Sequence, residues 1–255
     1  MWLWAVLHER PVSWACREEN WPPGLWPGLL PSQPTLSRRL RTAEVLALLE
    51  RMERCFRRSS RAGCVKWIDG KPLVLGVYAK DPDAAWGRVG RSYAHGYKLH
   101  VVYGDGPLPE AWDVEPLNVA EPCVAARLLP LLEPGDGYVL GDKAFDSNPL
   151  HAVADRCGKQ LVAQRKRPGT GLGHCPHTRG RLHSIALLQT KFGQDLYRTR
   201  SVVERKLAWL TSHAGGLVPL PAWVRRRHRV RLWIQAKLLL HAAYTLLYHP
   251  PPHAG

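Results

Sequence analysis

The period of the apolar residues changes near residue 64, and no other feature constrains the fold as much. Upstream, residues 43–56 place Val45, Leu46, Leu48, Leu49 and Met52 at helical spacing. Downstream, Val65, Trp67 and Asp69 share one parity, residues 73–77 form a short apolar run, and residues 97–103 alternate again. Glycines from Gly70 to Gly106 punctuate these runs, which predicts successive strands, antiparallel neighbours joined by short loops. Residues 120–132 are predicted as a helix stopped by Pro134-Gly135. Residues 138–142 then read as a buried strand, 148–157 as a helix and 160–163 as another strand. Helical patterning resumes over about 182–210 and again over 223–248. Three strands, a helix, a strand, a helix, a strand and closing helices make an α/β layered domain.

Residues 1–62 read as a small helical N-terminal region and residues 63–255 as the main domain. Within the former, residues 21–34 are rich in Pro and Gly and read as loop. Ser32 and Thr35 are N-cap candidates for a basic helical turn that carries Arg38 and Arg39. With 45% hydrophobic and 22% charged residues, a wholly disordered chain is excluded. No apolar run approaches the 18 or so residues of a membrane span. The apolar start, residues 1–7, lacks the basic flank of a signal peptide. A soluble, cytoplasmic chain is expected, with its six scattered cysteines reduced and mostly buried.

Net charge is +15, and it is unevenly placed. Between residues 156 and 241 lie 18 of the 36 Lys and Arg but 2 of the 21 Asp and Glu, leaving 18 basic and 19 acidic residues elsewhere. One third of the chain therefore carries the whole excess. Solvated faces normally interleave both signs, so this imbalance points to a phosphate backbone as partner. An anionic membrane is disfavoured, because no basic amphipathic anchor is present.

Three segments place carboxylates where chemistry can use them. Asp69 ends the first strand pattern, and Asp142 sits at the C-terminal tip of an apolar strand, the sheet edge where ligands collect. The two acids of the basic third are Asp195 and Glu204. On one continuous helix Tyr197, Arg200, Glu204 and Thr211 share a face, beside a stripe of Val203, Leu207 and Leu210. An isolated Asp before Gly is usually a turn residue. An ionised carboxylate at the tip of a buried strand, as at Asp142, is costly without a compensating charge.

Taken together, Ile68-Asp69-Gly-Lys, Gly141-Asp142-Lys-Ala-Phe-Asp146-Ser and the Tyr197/Arg200/Glu204 spacing resemble the insertion-sequence transposases with an Asp-Asp-Glu catalytic triad. Leu217-Val-Pro-Leu-Pro-Ala-Trp-Val-Arg225-Arg226 is similar to the segment that follows the Glu helix there, and the likeness covers roughly residues 64–248. Residues 10–45 weakly resemble the helix-turn-helix that precedes that domain. The resemblance implies an RNase H-like mixed sheet flanked by helices, with Asp69 on the first strand, Asp142 on the fourth and Glu204 on a later helix. It implies DNA cleavage at transposon ends and strand transfer into target DNA, with Asp69, Asp142 and Glu204 as catalytic residues and as ligands of Mg²⁺ or Mn²⁺, two ions in all. Tyr197, Arg200, Arg205, Lys206, Arg225, Arg226, Arg38 and Arg39 are the expected DNA contacts. The partner is double-stranded DNA, held by a homodimer in a synaptic complex, so a nucleoid-associated location is expected. One departure stands out: the family pattern has Lys seven residues after Glu, where this chain has Thr211. A non-catalytic DNA-binding remnant and a general RNase H-like nuclease are the alternatives.

The rival motifs are weaker. His174, Cys175, His177 and His183 lack the second half of a zinc site. Residues 169–173 lack the Gly-Lys-Ser/Thr ending of a phosphate loop. Asp146, the rival of Asp142, reads as the N-cap of the following helix.

Overall fold

A computed structural model describes residues 1–255 apart from residue 27, residues 59–62, 77, 213–215, 218–219 and 249–255. The expected domain boundary at residue 62 lies outside the described residues. Four helices come first: α1 (Trp2–Leu7), α2 (Val12–Ala15), α3 (Gln33–Arg39) and α4 (Ala43–Arg58). A six-stranded sheet follows, built from β1 (Val65–Val74), β2 (Ala85–Val89), β3 (Ser92–Tyr103), β4 (Pro109–Pro116), β5 (Gly137–Gly141) and β6 (Lys159–Ala163). Helices α5 (Glu121–Leu128) and α6 (Asn148–Arg156) interrupt the strands, and α7 (Arg179–Leu187), α8 (Lys191–Arg198), α9 (Ser201–Ser212) and α10 (Arg227–Tyr248) close the chain.

The sheet is mixed. β3 pairs antiparallel with β1, while β1, β5 and β6 run parallel. β2 and β4 lie end to end along the outer edge of β3, pairing with residues 92–96 and 97–103 respectively. The curled mixed sheet flanked by helices is consistent with an RNase H-like fold.

Each face of the sheet buries its own core, as the period-two pattern requires. On one face Trp67, Leu99, Val101 and Leu140 pack with Val203 and Leu207 of α9 and with Trp233 and Ile234 of α10. On the other, Ile68, Val102, Val139 and Leu161 pack with Val124 and Leu128 of α5 and Leu150 of α6. The N-terminal helices join the first core through Val6 and Leu49.

Several sequence expectations need correction. The run at 65–69 and the start of the run at 73–77 belong to one strand, β1, which ends at Val74. β2 and β4 were not expected, so Asp142 follows the fifth strand in chain order rather than the fourth. The helical stretch 182–210 is three helices, because threonines break it. Thr190 Oγ1 accepts from Gly193 N (3.0 Å) and caps α8, and Thr199 Oγ1 accepts at that helix's end from Trp67 Nε1 (3.0 Å). Hydroxyls that bond nearby backbone or partner groups favour caps over helix interiors. All six cysteines are unpaired, as expected, but none is buried: four are exposed and two half-buried. Among the described residues no helix is long and apolar enough to cross a membrane.

One ion pair ties the first helices to the last. Lys237 is 1% exposed, and its Nζ donates to Glu9 Oε1 at 2.9 Å while lying 5.2 Å from the centre of the Trp233 ring. A charge left unpaired in such a place costs more than the pair contributes. Glu9→Ala is therefore expected to destabilise the fold by about 2–3 kcal/mol, and Lys237→Met by less. Chemical denaturation of the two variants measures the asymmetry.

Candidate active site

The parallel register between β1 and β5 determines where the first two acids meet. Trp67 stands opposite Leu140. Two residues further along each chain come Asp69 and Asp142, so both lie at one level and on the sheet face that carries α9. Asp69 is half-buried, and its Oδ1 accepts from Gly70 N at 2.8 Å. Asp142 follows β5 directly. Its Oδ1 accepts from Ala144 N (2.7 Å) and caps a short 3₁₀ turn, Lys143–Phe145.

The two carboxylates feel one another. Burial pushes the Asp69 carboxyl up to about 6, the Gly70 N–H opposes the shift, and the negative charge of Asp142 adds to it. Arg200 acts in the opposite sense. Burial and a neighbouring like charge both favour the protonated form of a carboxyl.

Tyr197 and Arg200 connect this pair to Glu204. Tyr197 Oη donates to the Gly141 carbonyl at 3.1 Å, which docks the end of α8 against the tip of β5. Burial raises the Tyr197 phenol, so it stays protonated. Tyr197 and Glu204 do not share one continuous helix, since α8 ends at Arg198 and α9 begins at Ser201. Arg200 sits at the junction, and its Nη2 donates to Glu204 Oε1 at 2.6 Å. The Glu204 side chain is 54% exposed. Exposed i,i+4 pairs of this kind contribute only ~0.3–0.5 kcal/mol, so the clasp is weak enough for a competing cation to open it. Among the described residues, no group of three or more His, Cys, Asp or Glu side chains is arranged to hold a metal ion. Asp69 and Asp142 fit a hard divalent cation in donor type and in their unrelieved charge. Glu204 is instead engaged by Arg200.

The remaining expected contacts divide by what they touch. Arg205 is exposed on α9, and Arg38 and Arg39 are exposed on the last turn of α3. Lys206 is turned onto the protein, donating to the Asp105 and Gly106 carbonyls (3.2 and 2.8 Å) above the Tyr103 ring. Arg225 Nη1 donates to the Pro221 and Val224 carbonyls, and Arg226 pairs with Asp83 at 3.2 Å.

Sequence reasoning missed Glu121 and misread Asp146. Glu121, at the start of α5, adds a further negative charge to the surroundings of Asp69 and is paired with Lys98 at 2.8 Å. Its only signal was an acid at the head of a predicted helix. Asp146 is not the N-cap of α6; Ser147 occupies that position. Asp146 is buried and accepts from Arg181 Nε (2.6 Å) and Nη2 (2.8 Å) and from Lys166 N (3.3 Å). Burial opposes its ionisation, but Arg181 prevails and holds the carboxyl below the usual range. The loop 164–178 that follows β6 is closed by the same clasp. His177 contacts Arg181 Nη1 (2.8 Å) and the Leu172 carbonyl (2.8 Å), and Arg165 donates to the carbonyls of Pro168, Thr170 and Gly171.

With this geometry in place, comparison with protein families is decisive. The family model described as transposase DDE domain matches residues 60–242, well over half of the chain. The chain belongs to that family. No curated protein and no solved structure matches it.

The strain at Asp69 has a measurable consequence. A carboxyl raised above its unfolded value binds its proton more tightly when folded, so stability falls as pH rises from about 4 to 6 and stays reduced above that. In metal-free protein Asp69→Asn is expected to stabilise the fold by about 1–2 kcal/mol at pH 7.5, roughly 3–6 °C in Tm. The gain should vanish below about pH 4; thermal melts across pH check both.

Proposed function

We propose that this chain is a DNA transposase that cuts at transposon ends and joins the freed 3′-OH to target DNA in a divalent-metal-dependent reaction. The observation that carries this reading is the convergence of Asp69 and Asp142 at one level on one sheet face, with Asp69 pushed up to about 6 by burial and by Asp142. Membership of the transposase DDE domain family supports it.

Asp69, Asp142 and Glu204 are the residues that would hold Mg²⁺ or Mn²⁺, two ions in this reading. When bound, such ions make a water nucleophilic near neutral pH and stabilise the leaving alkoxide. The chain's own part is positioning. Tyr197, through the Gly141 carbonyl, keeps α8 and α9 against the tip of β5. Arg200 exchanges partners: when Glu204 turns to the two aspartates, the guanidinium is freed to take a DNA phosphate with a bidentate, charge-assisted grip. The exposed Arg205, Arg38 and Arg39 meet more distant phosphates, while Lys206, Arg225 and Arg226 fix the elements around them. Two ends must be held together for transposition, so the working unit is a homodimer on DNA in the nucleoid.

A non-catalytic DNA-binding remnant is the second reading, and the Arg200–Glu204 pair and Thr211 favour it. Purified protein, Mn²⁺ or Mg²⁺ and a labelled terminal-repeat duplex separate the two readings. Asp142→Asn is expected to lower nicking by roughly 10²–10³-fold or more while DNA affinity stays nearly unchanged. Retained nicking refutes the assignment. Absence of nicking by the unaltered protein favours the remnant, and cleavage that ignores sequence and gives no joined product indicates a general nuclease.

A further inference from the structure

The hairpin formed by β2 and β3 projects from the sheet with a face unlike the rest of the surface. Trp86 stands directly opposite His95 and Arg88 opposite Tyr93, so all four side chains share one face. Trp86 is 67% exposed and Tyr93 73%. Arg88 and Arg91 are also exposed. The opposite face is seated: Gly87 is buried, and a Cβ there would strike the Leu117 carbonyl. Residues 84–103 hold Arg88, Arg91 and Lys98 and no carboxylate.

Its position matters as much as its chemistry. Val101 of β3 stands opposite Asp69, and Tyr93 and His95 have the same parity as Val101. The exposed face of the hairpin is therefore the sheet face that carries Asp69 and Asp142. Because β3 is antiparallel to β1, its N-terminal end extends past the same sheet edge on which Asp142 lies. From Val101 to Ser92 is nine residues of strand, roughly 30 Å. That is close to one turn of B-DNA, about 34 Å.

We infer that this hairpin is a DNA-gripping arm that holds the duplex about one helical turn from the acids, a proposal resting on the transposase reading above. Arg88 and Arg91 contact phosphates, and the rings of Trp86 and Tyr93 lie against the sugars between them. Opposite charge selects DNA over a second copy of this chain, whose hairpin would present the same cations.

The test uses the full chain and two labelled mixed-sequence duplexes, one a loop-capped duplex of about 6 base pairs and one of about 40, the shorter, at about 20 Å, being unable to span acids and hairpin together. Fluorescence anisotropy over a salt series is the readout. Trp86→Ala/Tyr93→Ala is expected to weaken binding of the long duplex about tenfold and to leave the short one little changed. Arg88→Ala/Arg91→Ala is expected to reduce the salt slope on the long duplex by about 2. Long-duplex affinity and slope equal to the unaltered protein overturn the inference, as does a change of sedimentation coefficient with DNA binding intact, which would assign the face to self-association. Those outcomes leave the transposase reading standing if nicking persists. Failure of the unaltered protein to bind either duplex overturns both.

Discussion

The parallel ladder between β1 and β5 is the interaction on which the candidate site depends. Those two strands are far apart in sequence, and nothing local brings Asp69 to Asp142. Opposite placement of Trp67 and Leu140 does so, and both residues are also core. Register and chemistry are thereby coupled. A slip of one residue along β1 would bury Ile68 on the wrong side and turn Asp69 away from α9. Apolar contacts on both faces of the sheet thus keep two like charges together, at the cost visible in the raised Asp69 carboxyl.

The excess of positive charge has a more divided role than its total suggests. Arg227 and Arg231 of α10, with Arg127 of α5, converge on Asp113 and Glu115 of β4. Arg231 also lies 4.7 Å over the ring of Trp112. Arg226 meets Asp83, and Lys237 meets Glu9. Much of the run at the head of α10 therefore neutralises acids contributed by the first half of the chain. Net charge alone overstates what remains for a polyanion; Arg205, Arg38 and Arg39 are better placed because they are exposed.

The α/β architecture was legible in residues 64–163 because period-two runs and glycine breaks are local signals. β4 was not, since its Pro-Glu-Ala-Trp-Asp-Val-Glu-Pro carries acids that arginines from α5 and α10 neutralise only after folding. The break in the helical stretch 182–210 was written in Thr190 and Thr199, but a helical stripe outweighs an isolated threonine until its bonding partner is known. Among site residues, Asp142 was visible as a carboxylate at a strand end, whereas Asp69, expected to end the first strand, lies inside β1. The engagement of Glu204 by Arg200 was foreshadowed by i,i+4 spacing, whereas the grip of Arg181 on Asp146 joins residues that no short pattern relates.

That grip has a further consequence for the loop that leaves β6 beside Asp142. Arg181 fastens its base to Asp146, His177 closes its far end, and Arg165 gathers three of its own carbonyls. A glycine-rich segment would ordinarily surrender much conformational freedom on meeting a ligand. Here folding has already removed much of that freedom, so the rim next to the acids behaves as a preset mould.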